Sequence, residues 1–178
     1  MPRPLLLPTG RRHGARLALV IAAAWLVGAD AAPTTAVDAL ARLERTGLNL
    51  ARLRLEKGEA LVPYAFVLRS DGRTQRVSPK LSPRQRTAED VAAALVEGLR
   101  SRAARGEYQA VAIFRFVVIK LPGGGESNAI HAGLEHQSGS CAQVYVPYRK
   151  PEKSSLEFEP ELRRSREAEV FEHCESLP

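Results

Sequence analysis

His131, Glu135, His136 and Cys141 lie close together in the segment IHAGLEHQSGSCAQVYVPYR, residues 130 to 149. Their side chains could supply nitrogen, oxygen and sulfur to a metal, or the base and nucleophile of a hydrolase. A zinc-protease helix needs two histidines one turn apart, in the order H-E-x-x-H or H-x-x-E-H. Here the order is H-x-x-x-E-H, and Gly133 and the Ser138-Gly139-Ser140 turn oppose a helix. In an extended strand, His131, Gly133 and Glu135 face one way, while Ile130, Ala132, Leu134 and His136 face the other. His131 and Glu135 then stand about 13 Å apart, at roughly 3.3 Å per residue, so they cannot share one metal. No catalytic or metal-binding set is therefore assigned, and no cofactor is expected.

The same alternation makes residues 127 to 137 and 141 to 148 a hairpin. A register pairing Leu134 with Val144 and Ala132 with Val146 keeps one face apolar and sets Glu135 opposite Gln143 and Gly133 opposite Tyr145. The opposite face, carrying His131, Glu135, Gln143 and Tyr145, is a candidate interaction surface.

Other chemical motifs carry less. No serine sits in a G-x-S-x-G elbow, and the PGGGES run lacks the Lys-Ser/Thr ending of a phosphate loop, so it reads as a hairpin tip. Arg69, Arg73, Arg76, Lys80, Arg84 and Arg86, with Asp71 as the sole counter-charge, form a candidate anion-binding run. The nearby aromatics Tyr64 and Phe66 sit in an apolar strand, where they cannot stack on bases, and no nucleic-acid partner is expected.

The elements that position these residues follow from patterning. Val37, Leu40, Leu43, Leu48, Ala51 and Leu55 recur at helical spacing, predicting a helix over residues 34 to 57, bent near Gly47. Residues 61 to 69 and 73 to 77 form a hairpin about Asp71-Gly72, with Pro63 at the strand's start. Thr87 and Asp90 make a capping box for a second helix reaching Arg105 and stopped by Gly106. Residues 109 to 121 are apolar on both faces except at Arg115, as suits a central strand. The expected fold class is α+β, a mainly antiparallel sheet of about five strands with two helices, in the order α-β-β-α-β-β-β.

The 178 residues allow one domain with appendages. Arg3, Arg11, Arg12 and Arg16 precede an uncharged run from Leu17 to Ala29, too short to span a bilayer and of signal-peptide length. Ala29 and Ala31 fit cleavage before Ala32, and the Arg11-Arg12 pair hints at twin-arginine export. Residues 1 to 31 are thus read as a leader, 32 to 149 as the domain, and 150 to 178 as a charged tail with either one short helix around Pro160 to His173 or no order. Losing the leader removes four Arg and one Asp from 26 basic and 20 acidic residues, which lowers the charge from +6 to +3. The mature chain has a basic body and an acidic tail. It is expected in the periplasm or outside the cell, without a transmembrane span; an unused leader would leave it cytoplasmic. In an oxidising compartment Cys141 and Cys174 are a candidate disulfide.

The stretches L-x-L-E-K-G-E-A-L-V-P-Y-A-F-V-L-R-S-D-G (53 to 72), A-I-H-A-G-L-E-H-Q-S-G (129 to 139) and V-P-Y (146 to 148) resemble a loose group of small uncharacterised bacterial proteins. The resemblance covers roughly residues 37 to 149 and implies a single α+β unit, with no catalytic residue. The expected role is binding, to an unidentified protein or envelope partner, in an oligomeric state the sequence leaves open. Two alternatives stay open: a small envelope hydrolase using Glu135 with His131 or His136, and a basic module docking on anionic envelope polymers through the arginine run.

Overall fold

The computed structural model describes residues 35–79, 87–150 and 155–176. The leader reading, and Lys80, Arg84 and Arg86 of the arginine run, lie outside them. Two helices and a mostly antiparallel sheet follow in the order α1 (Ala36–Glu56), β1 (Tyr64–Arg69), β2 (Thr74–Val77), α2 (Ala88–Ala103), β3 (Tyr108–Lys120), β4 (Glu126–His136) and β5 (Ser140–Arg149). Three short strands come last: β6 (Glu157–Phe158), β7 (Leu162–Arg164) and β8 (Glu175–Ser176). The α+β class and the order of the seven larger elements match the sequence reading.

Each element has a local cause. Thr35 caps α1 by accepting the Asp38 backbone N–H, and Thr87 and Asp90 form the expected capping box of α2. Gly72, at φ 79°, supplies the left-handed turn residue between β1 and β2. β3 lies between β1 and β4, and Ala110 to Phe114 are buried on both faces of the sheet, as the two-sided apolar pattern of that stretch requires.

The sheet runs β2-β1-β3-β4-β5, and alternation divides its side chains between two cores. On one face α1 buries Leu40, Leu43 and Leu48 against Phe114, Ile130, Leu134 and Val144. Each such aliphatic side chain contributes about 1.5–3 kcal/mol of burial. α1 is continuous through Gly47, because that glycine makes room for Phe114: a Cβ there would stand 1.9 Å from the ring. Val37, assigned to the apolar stripe, is instead 57% exposed. On the other face Leu95 and Leu99 of α2 cover Val67, Val111 and Ile113.

α2 covers only the β1–β3 half of that second face, and the C-terminal segment covers the β4–β5 half. Residues 155–176, read from the sequence as part of a charged tail with one short helix or no order, here pack on the sheet. No helix forms around Pro160 to His173; instead β6, β7 and β8 pair successively with β5, the last in parallel. The cause is the edge of β5, whose backbone groups need partners that a sparsely apolar segment can supply in extended form. Arg163 of β7 reaches the α1 face and pairs with the buried Glu44 at 2.6 Å, while Arg166 turns to the opposite face. The segment therefore grips both sides of the sheet edge.

Candidate functional site

The β4–β5 register brings His131 opposite Tyr145, Gly133 opposite Gln143 and Glu135 opposite Cys141. This corrects the expected register by two residues, a slip that leaves every side chain on its expected face. The His131 and Tyr145 rings stack with centroids 4.7 Å apart, and the Tyr145 hydroxyl donates to Gln143 Oε1 at 3.0 Å. The four residues of the candidate interaction surface thus share one face, but it is not an open one. Glu135 is 1% exposed and His131 7%.

What covers them is the chain's own C-terminal segment. Glu135 Oε1 accepts from Arg166 Nε (3.1 Å), Arg166 Nη2 (2.7 Å) and the Glu169 backbone N–H (2.9 Å). Its Oε2 accepts the backbone N–H groups of Val170 (2.8 Å) and Phe171 (3.0 Å). A buried carboxylate is tolerated when its lone pairs are satisfied in this way. Glu169 in turn accepts from both terminal nitrogens of Arg115 and lies 3.2 Å from Arg166. Burial acts to raise the Glu169 pKa, but the Arg115 hydrogen bond and the charges of Arg166 and Arg115 outweigh it and hold the carboxyl below its ordinary value.

The guanidinium of Arg166 lies directly on Gly133, leaving no room for a Cβ. A glycine inside a strand marks such close approaches, and this one was the available sequence signal for a covering group. The partners Arg115, Arg166 and Glu169 escaped the sequence reading because their neighbours are distant in the chain. Cys141 and Cys174 are disulfide-bonded, with Cα atoms 5.3 Å apart, tying the segment to the start of β5.

These contacts decide what the opening histidines and glutamate can do. Glu135 spends both oxygens on five N–H donors, so no oxygen faces a reacting atom. Burial, then the charges of Arg166 and Arg115, lowers the His131 pKa to about 4, leaving it neutral near pH 7, and its buried Nε2 has no hydrogen-bond partner. His136 lies on the other face, with Nδ1 2.8 Å from Ser138 Oγ. The three do not converge. Among the described residues no three His, Cys, Asp or Glu side chains are grouped to hold a metal ion, and no helix is long and apolar enough to cross a membrane.

Of the arginine run, Arg69, Arg73 and Arg76 fall among the described residues. Arg69 pairs with Asp71 at 3.5 Å and reaches Gln75, whereas Arg76 stands over the Tyr64 ring. An open cleft of about 730 Å³ lies elsewhere, between the end of α2, the β4–β5 turn and the C-terminal segment. Its lining is mixed: Ala103, Ala104, Val170 and Phe171 are apolar, whereas Arg100, Ser138, Glu169, Glu172, His173 and Glu175 are polar or charged. Sequence reasoning missed it, since its walls come from three separated stretches. No family model, curated protein or solved structure matches the chain.

Proposed function

We propose that the protein is an exported domain, freed of its leader near Ala31–Ala32, that acts by binding rather than catalysis and uses the cleft between α2 and the C-terminal segment. The observation that carries this reading is the cleft itself: at about 730 Å³ it falls in the size range of ligand sites and sets apolar Val170 and Phe171 beside charged Arg100, Glu169, Glu172 and Glu175. The Cys141–Cys174 bridge supports an oxidising compartment and holds one wall in place. The engagement of both Glu135 oxygens by N–H donors and the burial of His131 support binding over acid–base chemistry. An extended, partly apolar peptide segment suits a trough of this composition.

The test is a chemical-shift titration of the oxidised chain with a mixture of aromatic and aliphatic N-acetyl amino-acid amides. Saturable shifts clustered at Ala103, Ser138 and Phe171, and lost in Ala104→Trp, are the expected result. Shifts scattered over the surface, or retained in that variant, contradict the reading.

A further inference from the structure

A second concavity, of about 350 Å³, opens where α1 ends, β1 begins and β2 ends, lined by Arg54, Glu59, Val62, Tyr64, Arg76 and Ser78 among others. Tyr64 organises it. Its ring is 1% exposed and its hydroxyl donates to the Gly47 carbonyl at 2.8 Å. One ring face stacks on Phe114, with centroids 5.1 Å apart and planes 16° from parallel. The guanidinium carbons of Arg54 and Arg76 each lie 5.6 Å from the Tyr64 centroid. The ring quadrupole attracts both cations and brings them to one aromatic centre.

Two guanidiniums converging on one ring repel each other unless an anion lies between them. Glu59 is the local carboxylate. It lies 3.7 Å from Arg54 and is half-exposed, a pairing worth little in water. Arg76 has no carboxylate partner among the described residues, so the concavity carries one positive charge more than it neutralises.

We propose that this concavity is a binding site for a single oxyanion of the carboxylate or phosphate type, held by the forks of Arg54 and Arg76 with the Ser78 hydroxyl at the rim. Guanidinium forks match the paired oxygens of such groups, and each hydrogen bond made to them is charge-assisted. The inference is independent of the cleft beside α2, which lies at another part of the domain and is built from different residues.

The experiment follows the side-chain Nε–H resonances of Arg54 and Arg76 as inorganic phosphate is added at constant ionic strength. Saturable shifts of both, weakened about tenfold in Arg76→Gln and unchanged in Arg73→Gln, are expected. Arg54→Lys keeps the charge without the fork and should bind between wild type and Arg76→Gln. The absence of saturable shifts, or equal weakening by Arg73→Gln and Arg76→Gln as a diffuse positive field would give, overturns the proposal. A parallel arm with phosphatidylglycerol vesicles, against phosphatidylcholine, identifies the source: Arg76-dependent vesicle binding assigns the oxyanion to a lipid headgroup, and phosphate binding without it assigns a soluble ligand.

Discussion

Arg166 places Nη1 against Gly133, where an added Cβ would stand 1.4 Å from that atom. The missing side chain in β4 is the seat for a cation delivered from 33 residues further along the chain. Gly133→Ala should displace the guanidinium from Glu135 and Glu169 and lower stability by about 1–3 kcal/mol, as overpacking does. Urea denaturation measures it, and an unchanged midpoint would show that the arginine has another seat. Gly47→Ala provides a comparison in the α1 core, where the rigid Phe114 ring has less freedom to yield.

Removing one partner of the buried pair exposes how much the other depends on it. Glu135→Ala leaves Arg166 with Glu169 as its remaining carboxylate and strands three backbone N–H groups, with an expected loss of about 3–5 kcal/mol. Arg166→Met should cost less, since the three backbone donors remain to satisfy Glu135. The double variant should be less destabilised than the sum of the two singles, and a double-mutant cycle with no interaction energy would rule the pair out as a unit.

Acid should loosen the C-terminal segment. The folded His131 pKa of about 4 lies below the ordinary 6.5, so the unfolded chain takes up the proton first as pH falls. Stability is full above pH 6.5 and falls by up to about 3 kcal/mol on going down to pH 4. Glu169 acts in the same sense lower down: its depressed pKa contributes stability above the ordinary carboxylate range that is lost as pH falls through the folded value. His131→Phe keeps the stack on Tyr145 and should flatten the pH 4 to 6.5 part of the profile. An unchanged profile in that variant would assign the titration elsewhere.

The disulfide closes a loop with a sequence separation of 33, for which the chain-entropy relation gives about 3–4 kcal/mol. Cys141→Ser with Cys174→Ser should lose roughly that amount, and the loss of order should concentrate in residues 165 to 176. Uniform loosening of the whole sheet would contradict a local staple.

These particulars show why some of the molecule is legible in its sequence and some is not. The Thr87 and Asp90 box, the Asp71-Gly72 turn and the period-two strands are local, so residue types within a few positions declare them. The face of each β4 side chain was legible, but its register was not: alternation repeats every two residues, so pairing Leu134 with Val144 or with Ala142 puts the same residues on the same faces. The C-terminal segment is different in kind. Its order comes from Glu135, Gly133, Glu44 and the edge of β5, all far away in the chain, and its own charged composition resembles that of segments with no fixed structure. Alternation alone puts His131, Glu135, Gln143 and Tyr145 on one face, but the segment that covers Glu135 comes from far along the chain and no local pattern announces it.

The polar face of β4 and β5 docks the chain's own C-terminal segment, which forms one wall of the cleft beside α2. Hydrogen exchange at the Glu169, Val170 and Phe171 amides of the oxidised protein tests this docking most directly, because all three donate to Glu135. Exchange as slow as that of the β3–β4 core is expected, accelerated at these three amides by Glu135→Ala. Exchange at the rate of an unstructured chain in the wild-type protein would contradict it.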